Sequence, residues 1–411
     1  MRIAMVSEHA SPLATLGGVD AGGQNVHVAA LAEHLARLGH QVDVYTRRDD
    51  ASLPRVVEMR PGVRVVHVTA GPARALPKDE LLPYMTELGD ELAREWREHG
   101  APDVVHGHFW MSGLAALRAA AVTGPPVVQT FHALGSVKRR HQRERDTSPA
   151  GRADVEAKIA RTVTRVVATC TDELAELVRL GVPSSRVSVV PCGVDVTHFR
   201  PPRPDDAVPP LQDGRFRMLS VGRLVERKGV DNAVRALPLL PDVELAVVGG
   251  PAQEEVRDDP EGRRLWQLAC DLHVEDRVRF LGRVAHDDMP AVLRSAHVVV
   301  ATPWYEPFGI VPLEAAACGR PVVASAVGGM LDTVQDGTTG VLVPPRDALA
   351  LARAVRSIVD DPDHAVGLGT AARRRAVRRY GWDRVAQQTA RVYREVLSAG
   401  RVAHVVEEQA V

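Results

Sequence analysis

The sequence predicts an α/β protein built from two Rossmann-like parallel-sheet domains. At 411 residues the chain is too long for one ordinary domain. Short β-branched segments alternate with longer amphipathic segments, a pattern typical of a parallel sheet covered by helices. A proline-rich stretch interrupts this alternation, which then starts again. Two domains joined in this way are expected to face each other across a cleft, where ligands commonly bind.

The first half begins with a strand and contains the larger number of predicted elements. Glycines that follow two of its helices, Gly39 and Gly181, are typical helix stops. The predicted strands are Arg2–Val6, Gln41–Tyr45, Val63–Val68, Val104–His106, Val127–Thr130, Val166–Ala168 and Val187–Val190. The clearest helices are Gln24–Leu38, Glu80–Glu98, Ser112–Ala121 and Asp172–Leu180.

The stretch Arg200–Gly214 is rich in proline, which resists both helix and central strand, so it is predicted to be a semi-rigid linker. The predicted strands after it are Phe216–Val221, Glu244–Val248, Val278–Leu281, Val298–Ala301, Val322–Ala324 and Gly340–Val343, followed by a last helix, Trp382–Leu397. We therefore expect an N-terminal domain over 1–199, a linker over 200–214, a C-terminal domain over 215–381 and a helical segment over 382–411.

Composition excludes several classes of partner. The 51 basic and 52 acidic residues nearly cancel, so no overall field attracts nucleic acid or an anionic membrane. The four cysteines form no Cys-x-x-Cys pair and are expected to be reduced thiols. The N-terminus enters a strand without an apolar leader, and no apolar run approaches the roughly 18 residues of a membrane span. A cytoplasmic protein without a transmembrane segment is expected.

A glycine-rich loop, Gly17–Asn25, separates the first predicted strand from the first helix. Its glycines allow backbone N–H groups to approach a ligand closely, and the start of a helix favours an anion. A merely flexible loop is the alternative interpretation. The loop lacks the G-x-G-x-x-G pattern of dinucleotide-binding proteins, which disfavours a nicotinamide enzyme.

Two basic residues follow the first strand of the second half. Arg223 leaves the carboxyl end of that strand, and Lys228 precedes the next helix. Two fixed cations at this edge of a sheet can neutralise a diphosphate leaving group. Solvated surface charge is the alternative, and it is the expected role of Arg227.

Two carboxylates flank a Pro-Phe-Gly segment further along the chain. Glu306 follows a buried strand, and Glu314 lies near the start of the next helix. Ionised carboxylates accept hydrogen bonds from vicinal hydroxyls, such as those of a sugar or a ribose. Acids at this spacing also occur by chance, but the intervening segment and the preceding strand make this pair specific.

Histidines follow two strands of the first half. His132 is placed at the edge of the predicted cleft, with a structural role as the alternative. His106 and His108 follow another strand in the same way. No helical His-x-x-x-His or cysteine partner accompanies these three histidines, so no metal site is expected.

Together these motifs resemble retaining glycosyltransferases of family 4, which have the GT-B fold of two Rossmann-like domains. The resemblance covers essentially the whole chain. The resemblance rests mainly on two motifs. They are Glu306–Glu314, which matches the family's E-x7-E pattern, and Gly222-Arg223 with Lys228. The segment Asp20–Val28 is similar to the branch that contains sucrose-phosphate synthases and D-inositol-3-phosphate glycosyltransferases.

The resemblance implies a hexosyltransferase with a nucleotide-sugar, most commonly a UDP-sugar, as co-substrate and with no tightly bound cofactor. The first domain would bind the acceptor, the second would bind the donor, and the last helix would cross back to the first domain. Gly22 and Gly23 would contact the donor diphosphate from one side, and Arg223 and Lys228 from the other.

The resemblance also implies roles beside the transferred sugar. Glu314 would hold the nucleotide ribose, and Glu306, with Gly309 beside it, would contact the hydroxyls of the donor sugar. His132 would lie next to the reaction centre. The family is thought to retain anomeric configuration by attack on the same face of the sugar, and the departing phosphate takes the proton of the acceptor.

The acceptor site is where this sequence departs from the inositol-phosphate enzymes. Lys78 and Asn25 stand at expected positions, and Arg152 at that of an arginine. Phe109 replaces a tyrosine and Ala133 replaces a threonine, which weakens a phosphate site. The basic run Lys138–Arg143 either replaces these donors or is a solvated turn.

A small hydroxyl acceptor, phosphorylated or not, is therefore expected. The alternative functions are a non-hydrolysing sugar-nucleotide epimerase and a catalytically silent sugar-nucleotide-binding protein. Release of free nucleoside diphosphate separates both of them from a transferase.

Overall fold

The computed structural model describes residues 1–14, 22–206 and 214–409. It confirms the predicted α/β class with two Rossmann-like parallel sheets. One compact unit comprises Met1–Cys192 together with the chain from Trp382 onward, and the other comprises Gly193–Gly381. Gly17–Ala21 of the predicted glycine-rich loop, and residues 207–213 of the predicted linker, lie outside the described residues.

The sheet of the first unit has eight strands in the order β3-β4-β2-β1-β5-β6-β7-β8. The strands are β1 (Arg2–Val6), β2 (Gln41–Arg47), β3 (Val56–Arg60), β4 (Val63–Val68), β5 (Val104–His108), β6 (Val127–Thr130), β7 (Arg165–Ala168) and β8 (Val187–Val189). All neighbours pair in parallel except β3 and β4, which form an antiparallel edge. Every predicted strand of this half is present, whereas β3 was not predicted because Glu58 and Arg60 interrupt its apolar pattern.

Helices cover this sheet. They are α1 (Gly23–Arg37), α2 (Met85–His99), α3 (Trp110–Thr123), α4 (Gly135–Gln142), α5 (Arg152–Thr162) and α6 (Thr171–Arg179). The predicted start of α2 at Glu80 was wrong, because Pro83 lies in a separate 3-10 turn, Leu82–Tyr84. The basic run expected as donors or as a turn forms most of α4.

The C-terminal helix, Trp382–Gln409, belongs to the core of the first unit. Its buried residues Trp382, Val385 and Tyr393 pack in one hydrophobic cluster with Val28 and Leu31 of α1. The N-terminal Rossmann-like sheet is therefore covered on this side by the last segment of the chain.

The sheet of the second unit has six parallel strands in the order β11-β10-β9-β12-β13-β14. The strands are β9 (Phe216–Val221), β10 (Val243–Val248), β11 (Val278–Gly282), β12 (Val298–Ala301), β13 (Val322–Ser325) and β14 (Val341–Val343). The helices are α7 (Val230–Ala236), α8 (Pro260–Asp271), α9 (Met289–Ser295), α10 (Ile310–Ala317), α11 (Met330–Thr333), α12 (Ala348–Val359) and α13 (Pro362–Arg375), and the C-terminal helix is α14.

Each sheet has one point where the direction of strand addition reverses. In the first unit this point lies between β1 and β5, and in the second it lies between β9 and β12. Ligands of open α/β sheets bind in the crevice at the carboxyl ends of the strands at such a switch point. We therefore expect functional residues at these two switch points.

Across the described parts of the chain, no helix is both long enough and apolar enough to span a bilayer. The cysteines of the same parts form no disulfide.

Candidate active site

The switch point of the second unit brings Lys228 and Glu306 together. Lys228 ends a short 3-10 turn, Glu226–Lys228, after β9, and Glu306 lies in the loop after β12. The Lys228 Nζ donates a hydrogen bond to Glu306 Oε2 at 2.5 Å. Their side chains are 22% and 12% exposed, so the pair is partly accessible to a ligand. The predicted residue Arg223 is exposed at the same edge of the sheet.

Glycines fix the backbone that carries both members of this pair. Gly229, directly after Lys228, has φ of 67°, and a Cβ there would lie 2.0 Å from the Thr302 carbonyl oxygen. The Gly329 N–H donates to the Glu306 carbonyl at 2.8 Å, and a Cβ on Gly328 would lie 2.2 Å from that oxygen. The two loops thus approach each other at distances that exclude larger residues.

The charge of Glu306 follows from its neighbours. Burial alone would raise the pKa of this carboxyl, but the nearby Lys228 ammonium outweighs burial and holds the pKa below its usual value. Glu306 is therefore ionised at neutral pH. It forms a fixed anion beside a fixed cation.

Glu314 lies in α10, which begins after Gly309, a residue with φ of 70°. Burial raises the pKa of Glu314 to about 8. Within the described ranges no cation or hydrogen-bonding side chain contacts its carboxyl group. A half-buried carboxyl group of this kind is suited to polar groups of a ligand, because their hydrogen bonds would replace the lost solvation.

In the first unit, the predicted His132 follows β6 with φ of 62°, a conformation that is uncommon for residues other than glycine. Its Nε2 lies 3.0 Å from Nδ1 of His108, and both rings are buried. Burial is the main cause that lowers the pKa of each ring well below the usual value. Both rings are therefore neutral, and one donates a hydrogen bond to the other.

Two further histidines complete this buried layer. His106 contacts the Tyr393 hydroxyl at 2.7 Å and Thr130 Oγ1 at 2.9 Å. Burial lowers the pKa of His106 to about 3 and that of His27 to about 4. Over the residues that the structure describes, no group of three or more histidine, cysteine or acidic side chains has an arrangement that could hold a metal ion.

The start of α1 contains Gly22, Gly23 and the predicted acceptor residue Asn25. The Gly22 N–H donates to Asn25 Oδ1 at 3.1 Å, and Asn25 Nδ2 donates to the Ser11 carbonyl at 3.0 Å. Through these two hydrogen bonds Asn25 connects the start of α1 to the loop after β1. Its role toward an acceptor stays a prediction.

Three of the residues assigned to the acceptor lie together. Phe109, with φ of 81°, precedes α3 at the end of β5. The guanidinium carbon of Arg152 lies 5.0 Å from the centroid of the Phe109 ring. Arg152 Nη2 donates to the Ala133 carbonyl at 2.5 Å. Lys78 is half-buried in a separate 3-10 turn, Lys78–Glu80.

Sequence reasoning missed a buried acid at the same switch point. Glu8 follows β1 and is 1% exposed. Its carboxylate accepts hydrogen bonds from Ser112 Oγ and lies 2.7 Å from His9 Nδ1. The His9 ring packs edge-on against Phe109, with 5.0 Å between centroids. The sequence pattern that could have revealed Glu8 is an acid followed by a histidine directly after the first strand.

Comparison with known proteins decides the family. The sequence model described as Glycosyltransferase Family 4 matches residues 21–198, and the one described as Glycosyl transferases group 1 matches residues 203–375. A D-inositol 3-phosphate glycosyltransferase of Streptomyces coelicolor is 38% identical over 428 residues, which covers 97% of this chain and 93% of that protein. The chain belongs to glycosyltransferase family 4.

Other similar proteins agree with this family. A D-inositol 3-phosphate glycosyltransferase of Catenulispora acidiphila is also 38% identical and covers 97% of each chain. Among solved structures, sucrose-phosphate synthase from Thermosynechococcus elongatus has a TM-score of 0.85 and 33% identity, covering 97% of this chain and 99% of that one. HepE of Anabaena, solved with UDP and glucose, has a TM-score of 0.73 at 22% identity, covering 96% of this chain and 100% of that one. The last similarity is one of fold alone.

In this glycosyltransferase several of the predicted site residues fall at two places. Lys228, Glu306 and Glu314 gather around the switch point of the second sheet, and Phe109 and His132 follow strands at or beside that of the first. Their individual roles in binding and catalysis remain predictions.

Proposed function

We propose that this glycosyltransferase moves a hexosyl unit from a UDP-sugar to a hydroxyl group of a small acceptor, with retention of anomeric configuration. The observation that carries the proposal is the Lys228–Glu306 pair at the carboxyl ends of adjacent strands, β9 and β12. We infer that the second unit binds the donor and the first unit binds the acceptor.

The donor is assigned from charge. Lys228 and Arg223 supply positive charge for a diphosphate. At the α1 start, Gly23 supplies a backbone N–H group, and Gly22, whose own N–H donates to Asn25, allows the close approach. The Glu314 carboxyl suits the vicinal hydroxyls of a ribose. A uridine nucleotide is supported by Anabaena HepE, which was solved with UDP and with UDP-glucose.

The reaction that fits these groups has one bond breaking and one forming on the same face of the sugar. The bond from the anomeric carbon to the diphosphate oxygen breaks, and its electron pair leaves with the diphosphate. The acceptor oxygen bonds to the anomeric carbon, and its proton passes to the departing phosphate. Lys228 stabilises the negative charge that develops. His132 acts as a neutral neighbour, because burial keeps its pKa low.

The test is release of UDP from UDP-glucose and UDP-N-acetylglucosamine, compared with GDP- and ADP-sugars, with inositol, glucose or fructose and their phosphates as acceptors. Acceptor-dependent release from a UDP-sugar, with an α-linked product from an α-linked donor by NMR, is expected. Product of inverted configuration would rule out retention. Release from a GDP- or ADP-sugar alone would overturn the UDP assignment.

A further inference from the structure

The predicted acceptor region at the β1/β5 switch point has cations that the protein's own carboxylates already neutralise. We propose that the acceptor of this enzyme is an uncharged polyol or sugar, and that phosphate esters are excluded. This inference rests on the proposed transfer to a hydroxyl group and names the chemical class of the acceptor.

Arg152 is committed to the protein. Its Nε donates to Glu156 at 2.7 Å, and the side chains of this pair are only 4% and 0% exposed. Its Nη1 donates to Ser148 at 3.2 Å and its Nη2 to the Ala133 carbonyl at 2.5 Å. Turning the guanidinium toward a phosphate would leave Glu156 buried without its cation, which is strongly unfavourable.

The side chain next to Arg152 provides no hydrogen-bond donor for a phosphate. The Phe109 ring lies against the guanidinium and has no polar atom. The ring is 6% exposed, and the part that remains accessible is apolar, which suits the C–H face of a sugar or a cyclic polyol. A phosphate at this place would lose hydration without gaining a hydrogen bond from the ring.

A negatively charged carboxylate lies next to His9, the other residue that contacts the Phe109 ring. His9 packs against Phe109, and the buried Glu8 carboxylate holds the His9 ring through Nδ1 at 2.7 Å. Such a carboxylate repels a phosphate, whereas a histidine held by it can accept a hydrogen bond from a hydroxyl group through its other ring nitrogen.

Two further basic residues nearby are paired with carboxylates. Lys138 Nζ lies 2.9 Å from Asp146, and Arg140 donates to both oxygens of Glu176 at 2.9 Å. The charges of Lys138 and Arg140 are therefore already balanced by carboxylates of the protein.

The experiment is calorimetric titration of the UDP-loaded chain with matched pairs, namely myo-inositol and inositol 3-phosphate, and fructose and fructose 6-phosphate. We expect each ester to bind no more tightly than its neutral parent. An ester that binds at least tenfold more tightly than its parent overturns the proposal. A neutral parent that binds while its ester binds equally, more weakly or not at all supports the proposal, whether or not UDP release shows transfer, so failure of the proposed function is seen separately. Binding of neither neutral parent also overturns it.

A gain-of-binding variant provides a second readout. Glu8→Gln with Phe109→Tyr removes the negative charge and adds a hydroxyl donor next to Arg152. This double variant should bind the esters at least tenfold more tightly than the unmodified chain. Exposed Glu98→Gln, on α2, is the control for loss of one acidic charge. No gain in the double variant, or the same gain in the control, contradicts the proposed cause of exclusion.

Discussion

Lys228 and Glu306 form an ion pair at 2.5 Å although 78 residues separate them in the chain. The pairing follows from topology, because β9 and β12 are neighbours and each residue lies in the loop after one of these strands. Glu306 keeps the ammonium in place before any diphosphate arrives. A cation that is already oriented needs little reorganisation when charge develops on a leaving group.

Lys228→Ala should reduce kcat for transfer on the order of a hundredfold or more. Loss of one group that stabilises developing charge raises the barrier by about 2.7–4 kcal/mol. Steady-state UDP release measures the effect. Arg215→Ala is the matched control, since Arg215 belongs to the same unit and forms an ion pair with the exposed Asp276. Near-normal kcat in Lys228→Ala would remove the main support for the proposed mechanism.

Gly229→Ala should destabilise the chain much more than Gly337→Ala. Both glycines have φ of 67°, so an alanine at either position has the same backbone strain, about 1–2 kcal/mol. At Gly229 the Cβ also lies 2.0 Å from the Thr302 carbonyl oxygen, whereas at Gly337 no heavy atom lies within 4 Å. Urea unfolding of both variants gives the difference. Equal losses of unfolding free energy would mean that the close approach at Gly229 relaxes without penalty.

Glu314 should make the unliganded chain less stable as pH rises from about 4.5 toward 8. The folded state keeps a proton on this carboxyl up to a pKa of about 8, whereas the unfolded state releases it near the ordinary value of 4.5. The stabilisation from this group is complete below pH 4.5 and is lost through that window, with a slope of up to about 1.4 kcal/mol per pH unit.

Glu314→Gln should remove this slope and weaken the binding of UDP. Urea unfolding at pH 5 and pH 7.5 measures the first effect, and titration with UDP measures the second. Glu275→Gln, an exposed residue in the same unit, should leave both unchanged. An unchanged slope in Glu314→Gln would show that another group titrates there.

The buried histidines should destabilise the first unit on acidification. His27 has a pKa of about 4 in the folded state, so below pH 6.5 the unfolded state binds a proton that the folded state does not. Stability from this group is present above pH 6.5 and is lost as pH falls toward 4. His27→Gln should therefore flatten the fall in unfolding free energy between these values. The exposed His364→Gln should not, and equal effects of the two variants would contradict the assignment.

Much of the fold could be predicted because buried parallel strands are short apolar runs. Phe216–Val221 and Val298–Ala301 have the same bounds in the sequence prediction and in the structure. Residues directly after such strands then fall at the carboxyl edge of the sheet, which is how Lys228, Glu306 and His132 were found. Position relative to a strand was enough to select them.

The remaining features of the fold and the candidate site depend on tertiary contacts, which cannot be inferred from a local sequence pattern. The ion pair between Arg152 and Glu156 is visible as an i,i+4 spacing, but its burial is not. The role of Arg152 toward an acceptor came from the family resemblance and stays a prediction. Glu8 was missed because a charged residue after a strand is usually solvated. The positive φ of His132 has no sequence signal, since it arises from the packing around the end of β6.

The discontinuity of the first unit bears on how the chain folds during synthesis. Residues Met1–Cys192 emerge from the ribosome first, yet Trp382 and Tyr393, which complete their core, emerge last. The contiguous segment Gly193–Gly381 can fold as soon as it is released, whereas the earlier segment must wait with an uncovered apolar face on α1. Nascent chains that stop before Trp382 should therefore expose this face and depend on chaperones, which makes the final helix the last step of assembly.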